Sequence, residues 1–348
     1  MKNHFNILII KCEPRIDLLR STALLATLSD VHENAKIHWI TNRRNRFLLE
    51  QNDKIDHLLY IEDASTTAVW MNIEFALLIN LDTGFTACNI ANLAKADKKV
   101  GFAIDKAGRK YLLNPESRLL SDYEENSGEF IESYKFSYQK ILLNICGFEG
   151  KDVAEMILSL PEKRNPRSEV FAAENNLSDW KYPVIAIYLG HNPKFAKYYL
   201  QPNPMSFMAE FLKDRLGAKV ILTGGHQEKK LYDDTIVQCP PGVIEGGCDN
   251  SLSVLCSMLD HTDLVISTDS LILHTALALR KKAVALLNSD NDINIELYGR
   301  GVSLTSKAAE PESGYKLTGA IFLNEVTAEE VFSAAASLLN EYPTVSTS

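Results

Sequence analysis

The stretch from Asp263 to Leu287 constrains the fold more than any other. An apolar run, Leu264 to Ile266, breaks at Ser267-Thr268-Asp269-Ser270. A helical pattern follows, with Leu273, Ala276 and Leu277 on roughly one face. It closes at Arg280-Lys281-Lys282, and a second apolar run spans Ala283 to Leu287. Apolar run, short helix, apolar run is the pattern of a βαβ unit with parallel strands. Ligands of such units sit outside the carboxyl ends of the strands, at the start of the following helix. Thr268, Asp269 and Ser270 occupy that place. Backbone N–H groups and the helix dipole there suit a phosphate, and Asp269 suits a sugar hydroxyl. The same residues also make ordinary N-caps, which need no ligand, and His274 one turn on is of a type that more often serves packing than catalysis.

The β–α alternation extends over the whole chain. Strand patterns occur at Phe5 to Lys11, Lys36 to Thr41, Asp56 to Ile61, Phe75 to Leu81 and Lys99 to Phe102. Helical patterns intervene at Leu18 to Leu28, after Arg43-Arg44-Arg46, and at Thr86 to Ala94. Residues 103–128 have no clear period and read as a surface excursion. Phe130 to Cys146 reads as a helix ended by Gly147. The polar segment around Pro161 to Pro166 marks the connection between domains. The second half repeats the plan, with strands at Pro183 to Leu189 and Lys219 to Thr223 and helices at Pro204 to Leu216, from Gln227, at Ser251 to Leu259 and at Ala328 to Leu339. With 348 residues, two domains are expected, 1–165 and 166–348, both doubly wound α/β and facing each other across a cleft. The last helix is a candidate to pack back on the first half.

Charge and apolar patterning exclude several classes. The net charge of −9 argues against a general nucleic-acid binder. No apolar run has the length of a membrane span, and the first residues lead into a strand pattern without a leader's apolar stretch, so cytoplasm is the expected compartment. The six cysteines show no metal-ligand spacing and read as reduced thiols.

Several motifs, in order, resemble glycosyltransferase family 9, the lipopolysaccharide heptosyltransferases of GT-B fold. Lys11-Cys12-Glu13-Pro14-Arg15-Ile16-Asp17, followed by Leu18-Leu19-Arg20-Ser21-Thr22-Ala23-Leu24-Leu25, is similar to the family's opening Lys-x-Ser-Ser-x-Gly-Asp turn and helix. Gly190 to Tyr199 resembles its Gly-rich loop ending in Trp-Pro-x-Lys-Arg-Trp. Thr223 to Glu228 resembles its Gly-Gly-x-x-Glu turn through Gly224 and Gly225. Asp263 to Leu287 is similar to its Asp-Leu-Val-Val-Ser-Asn-Asp-Thr-Gly-x-x-His segment, with Asp269 and His274 in register.

The resemblance implies inverting glycosyl transfer without a metal or resident cofactor, from a nucleotide sugar, with ADP-heptose as the family's donor. It implies Asp17 as catalytic base and Lys197 as the lysine facing the donor diphosphate. Gly190, Lys194, Gly224, Gly225, Thr268, Asp269, Ser270 and His274 become donor-site candidates. Arg15, Arg43, Arg44, Lys106 and Arg109 become candidates for an anionic glycan or glycolipid acceptor, with peripheral contact at the inner membrane face. Three departures oppose it: Ile16 for the glycine before the base, Ser270-Leu271 for Thr-Gly, and Asn288-Ser289-Asp290 for Gly-Pro-Thr. A backbone position needing φ > 0 at Ile16 would exclude a β-branched residue. The alternatives are therefore a non-catalytic or donor-switched GT-B relative that binds a nucleotide or sugar, and a nucleotide-sugar epimerase.

Overall fold

The computed structural model describes residues 5–124, 136–190, 202–288, 294–306, 326–340 and 342. The chain divides into two compact units, Met1–Ser159 with Ile293–Glu296 and Leu160–Asp292 with Leu297–Ser348.

In the first unit β1 (Asn6–Ile10), β2 (Lys36–Thr41), β3 (His57–Tyr60), β4 (Phe75–Asn80), β5 (Ala96–Ile104) and β6 (Lys110–Leu112) form one sheet, in the order β3-β2-β1-β4-β5-β6. All pairings are parallel except that of β6 with β5. Leu8, Ile10 and Leu78 are wholly buried, as expected of strands covered on both faces. The helices are α1 (Arg15–Ser21), α2 (Leu24–Val31), α3 (Arg46–Leu49), α4 (Ala64–Asn72), α5 (Phe85–Leu93), α6 (Arg118–Glu124) and α7 (Tyr138–Cys146). α7 starts on the Ser137 hydroxyl, which accepts from the Lys140 N–H, and stops at Gly147 with φ 85°.

The second unit repeats the plan with β7 (Val184–Tyr188), β8 (Lys219–Thr223), β9 (Ile244–Gly247), β10 (Leu264–Thr268), β11 (Lys282–Asn288) and β12 (Gly301–Ser306). The order is β12-β11-β10-β7-β8-β9, all parallel. Its helices are α8 (Pro166–Glu174), α9 (Pro202–Leu216), α10 (Lys229–Ile236), α11 (Leu252–Asp260), α12 (Leu271–Ala278) and α13 (Ala328–Leu338). α13 begins with a capping box between Thr327 and Glu330 and packs against α9, β11 and β12 of its own unit. Among the described residues no helix is long and apolar enough to cross a membrane.

Several local expectations are corrected. β10 runs through Ser267 and Thr268, because the parallel ladder to β7 and β11 extends past the apolar residues. α1 begins at Arg15, so Asp17 lies in the first turn and Pro14 is the N-cap. The 103–128 stretch is not all excursion: it carries β6 and α6, each too short to show a period. α4 escapes sequence reading because Thr66 and Trp70 alone turn inward, among weak helix formers. β9 is four residues long with two glycines, and β12 opens on Gly301 and alternates with polar residues, which hides them. The first residues of the helix expected from Phe130 lie outside the described residues.

Candidate functional site

Each sheet reverses its strand order once, between β1 and β4 in the first unit and between β7 and β10 in the second. Diverging connections leave a crevice at the carboxyl ends of those neighbouring strands. Asp17 follows β1 at the first of these places, and Gly190, Thr268, Asp269 and Ser270 end or follow β7 and β10 at the second.

At the second unit's reversal, the Thr268 hydroxyl donates to the Gly190 carbonyl at 2.7 Å, tying the end of β10 to the end of β7. Ser270 caps α12 by accepting from the Leu273 N–H at 3.2 Å, and its hydroxyl also meets that of Ser267 at 2.8 Å. Asp269 and His274 form one buried unit: Nε2 lies 2.8 Å from Oδ1, with side chains 5% and 1% exposed. The helix thus presents its first N–H groups at the strand end beside a fixed carboxylate, an arrangement suited to a phosphate and a sugar hydroxyl.

Beside it, β8 turns through Gly224 and Gly225. The Gly224 N–H and the Thr223 hydroxyl both donate to the Gly247 carbonyl, at 3.2 and 2.7 Å, so the ends of β8 and β9 are joined. The Gly225 N–H donates to Glu228 Oε2 at 3.0 Å. A Cβ at Gly190 would come within 2.1 Å of the Tyr188 ring, and one at Gly225 within 3.2 Å of its hydroxyl. Burial, then Glu228, pushes the Tyr188 phenol above the usual tyrosine range. Lys194 and Lys197 lie outside the described residues.

The first unit's reversal holds a denser set of charges. Lys11, wholly buried at the end of β1, donates to the Leu81 carbonyl at 3.0 Å and faces Asp82 at 3.3 Å and Glu124 at 3.9 Å. Burial alone would lower its pKa, but Tyr138, Asp82, Asp17 and Glu124 outweigh it and hold the ammonium above the ordinary lysine range. Asp82 also accepts from the backbone N–H groups of Cys12, at 2.5 Å, and Glu13, at 3.4 Å, fixing the turn into α1. Asp17 is 2% exposed. Its Oδ1 accepts from the Tyr123 hydroxyl at 3.1 Å and from Arg20 at 3.4 Å, and Arg20 also donates to the Tyr123 oxygen at 3.2 Å. Its Oδ2 meets no hydrogen-bond partner among the described residues. Ile16 is helical and buried, so the position does not require φ > 0.

A cavity of about 520 Å³ opens at the same strand ends, with Cys12, Glu13, Asn42, Asp82, Phe85 and Glu124 among its walls. The basic candidates do not line it. Arg15 donates to the Asn45 side chain at 3.2 Å and to the Arg44 carbonyl at 3.4 Å. Arg43 pairs with Asp63 at 2.5 Å and lies over the Tyr60 ring, and Arg44 pairs with Glu13. Arg109 folds back on Asp105 at 2.8 Å, and Lys106 is exposed on the turn after β5. The sequence alone does not single out Lys11, Arg20, Asp82 or Tyr123. Asp82-Thr83-Gly84 after a strand repeats the strand–turn–helix format of Thr268 to Ser270, the one signal that pointed there. Among the described residues no group of three or more His, Cys, Asp or Glu is placed to hold a metal ion.

A family model described as glycosyltransferase family 9 (heptosyltransferase) matches residues 71–316. Solved structures share the fold. A glycosyltransferase of family 9 from Veillonella parvula is similar over 98% of this chain and 99% of its own, at 16% identity and a TM-score of 0.73. The E. coli ADP-heptose lipopolysaccharide heptosyltransferase II is similar over 97% and 99%, at 16% identity and a TM-score of 0.71. An E. coli heptosyltransferase solved with ADP-2-deoxy-2-fluoro heptose is similar over 95% and 99%, at 14% identity and a TM-score of 0.56. No curated protein matches the chain significantly. The architecture is that of the GT-B glycosyltransferases, two parallel-sheet α/β units.

Proposed function

The chain belongs to glycosyltransferase family 9, and on that premise we propose that it transfers a sugar from a nucleotide sugar to a glycan hydroxyl, with inversion and without a metal. The donor is ADP-heptose and the pathway lipopolysaccharide-core assembly, on the strength of the family resemblance. Asp17 takes the proton from the acceptor hydroxyl as that oxygen attacks the anomeric carbon and the nucleoside diphosphate leaves. The observation that carries this reading is the asymmetry of the Asp17 carboxylate. One oxygen is fixed by Tyr123 and Arg20, while the other has no hydrogen-bond partner among the described residues. A general base needs such a lone pair, held in place and available.

The departing diphosphate needs positive charge. The N-terminus of α12 behind Ser270 supplies part of it, and Lys197, with Lys194, is assigned the rest from the motif. Asp269, held by His274, is assigned to a hydroxyl of the donor.

Thermal shift with nucleoside diphosphates and nucleotide sugars, on wild type and Lys197→Ala, tests the donor half. A ligand at about 100 times its dissociation constant adds roughly 2.7 kcal/mol of stability. Stabilisation by adenine nucleotides that is weakened in the variant is the expected result. Transfer from ADP-heptose, lost in Asp17→Asn while nucleotide binding persists, tests the base. Absence of stabilisation by every nucleotide would leave the non-catalytic reading.

A further inference from the structure

One side of the first unit's sheet is covered by helices that carry no charge. We propose that this face, formed by α4, α5 and the edge strand β6, docks on an anionic phospholipid bilayer. Docking of this kind is separate from the transferase reading and does not depend on it.

α4 (Ala-Ser-Thr-Thr-Ala-Val-Trp-Met-Asn) and α5 (Phe-Thr-Ala-Cys-Asn-Ile-Ala-Asn-Leu) hold no Asp, Glu, Lys or Arg. Trp70 of α4 and Ala87, Ile90 and Ala91 of α5 share one buried cluster with Leu8, Ile10 and Leu78, so both helices lie on the same side of the sheet. A charge-free helix is ordinary when it is enclosed, as α12 is, with every residue from Ile272 to Ala278 buried. A helix at the surface usually turns charged residues to water. Here the outer faces are open and uncharged. Ala64, Thr67, Ala68 and Met71 are exposed on α4, and Phe85, Asn92 and Leu93 on α5. Met71, Phe85 and Leu93 are each more than half exposed. Tyr111 of β6, also exposed, joins them by donating from its hydroxyl to Asn92 at 3.0 Å. Large apolar side chains grouped on one open face mark an interaction surface.

The charge beside this face selects the partner. From Lys95 to Lys110 the chain has six Lys or Arg against two Asp, in a protein whose net charge is −9. Lys95, just after α5, and Lys106 and Lys110, at the hairpin from β5 to β6, are exposed. Lys99 donates to the Ala91 and Asn92 carbonyls at 2.9 and 3.1 Å, which adds its charge to the last turn of α5. Glu74 faces Lys95 at 3.9 Å and Asp105 pairs with Arg109, so the segment stays basic even with Glu74 counted against it. The acids before α4, Glu62 and Asp63, hold Arg43, so the positive excess lies on the α5 and β6 side. Apolar side chains set beside lysines match a bilayer of negative surface potential. The apolar groups enter the acyl boundary, and the ammonium groups stay among the headgroups on their long apolar stems. Lysines on the edge strand β6 also discourage pairing with another strand, but that role does not call for two charge-free helices beside them.

Co-sedimentation of the full chain with vesicles of phosphatidylcholine alone, and of phosphatidylcholine mixed with phosphatidylglycerol, tests this. The anionic vesicles should bind about tenfold more tightly or better, and the difference should fade at high salt. Met71→Ser with Leu93→Ser, both exposed positions, should lower binding to the anionic vesicles about tenfold, as for two apolar side chains that no longer leave water. Lys106→Glu with Lys110→Glu should lower it by about tenfold or more. Lys229→Glu with Lys230→Glu on α10, an equal change of net charge at exposed positions of the second unit, should leave it near wild type. Melting followed by circular dichroism checks that each variant is folded. Equal binding to the two kinds of vesicle, or binding to neither, overturns the inference. So does binding that the α4–α5 and β6 variants leave unchanged. A wild type that is dimeric in analytical ultracentrifugation and becomes monomeric in Met71→Ser with Leu93→Ser also overturns it, since a second copy then occupies the face. Transfer to a soluble acceptor without vesicle binding would overturn docking alone, and vesicle binding without any nucleotide binding would leave docking standing without the transferase.

Discussion

Asp17 and Tyr123 stand 106 positions apart in the chain, yet the Tyr123 hydroxyl donates to Asp17 Oδ1 at 3.1 Å. Arg20 closes the triangle by donating to both oxygens, from one turn along the same helix as Asp17. A carboxylate buried among these groups cannot rotate freely, so the direction of its second oxygen is set by α6 as much as by α1.

Removing that hydroxyl should therefore cost rate more than binding. Hydrogen bonds to charged groups contribute about 1.5–3 kcal/mol, so Tyr123→Phe should lower kcat roughly 10- to 100-fold. KM for the nucleotide sugar should stay near wild type. Asp17→Asn should fall further, by about 10²–10⁴. Steady-state transfer kinetics distinguish the two variants. An unaltered kcat in Tyr123→Phe would show that the triangle serves folding alone.

Asp269 and His274 carry a prediction about stability. The pair is buried and joined at 2.8 Å, so deleting one member removes a buried hydrogen bond from the other. His274→Ala should destabilise the protein by about 1–3 kcal/mol, the usual cost of removing one side of a buried hydrogen bond. The double change with Asp269→Ala should recover part of that loss. Urea unfolding followed by circular dichroism measures both. Additive losses in the double variant would mean that the two side chains act independently.

Much of this arrangement was legible in the sequence, for a physical reason. Wherever a strand end, a polar turn and a helix start follow one another directly, as at Thr268-Asp269-Ser270, local order places the residues at the sheet's carboxyl edge. Gly190 follows for the same reason, as the end of β7. What was hidden depends on distant pairing. Lys11 meets Asp82 only because β1 and β4 are neighbours, and no local pattern announces that adjacency. Tyr123 lay in a stretch without a period, because α6 is only seven residues long. The pairing of the arginines is equally invisible in sequence: Arg43, Arg44 and Arg109 each meet a carboxylate, at Asp63, Glu13 and Asp105.

The cysteines should be unreactive in the folded chain, with one exception. Burial pushes the thiols of Cys146 and Cys256 up to about 12, and burial with Glu228 pushes Cys248 up to about 11. Cys12 is held higher still by burial and by Asp82. Since the thiolate is the reactive form, these groups should resist Ellman's reagent at pH 8 until the protein unfolds. Cys239, partly exposed, should react first. Loss of that first phase in Cys239→Ser checks the assignment, and its persistence would refute it.

His38 should make the protein acid-sensitive well above the carboxylate range. Its ring is 3% exposed, stacked on His57 at 4.5 Å and edge-on to Phe75 at 5.5 Å. Burial, then the neighbouring His57, lowers its pKa to about 4, against the opposing pull of Asp56, while Lys36 adds to the lowering. In the unfolded chain the same imidazole titrates near 6.5. Between those values the unfolded state binds a proton that the folded state does not, so stability rises with pH across the window and falls on acidification. At 1.36 kcal/mol per unit the full loss is about 3 kcal/mol, complete near pH 4. Asp56, whose pKa is lowered from the ordinary aspartate value with Lys36 and the Ile37 N–H as its partners, contributes only below that window. His38→Phe keeps an aromatic ring between His57 and Phe75 and removes the titration. Urea midpoints at pH 7.5 and pH 5 should differ clearly in wild type and much less in the variant. Equal pH slopes in the two proteins would place the acid sensitivity elsewhere.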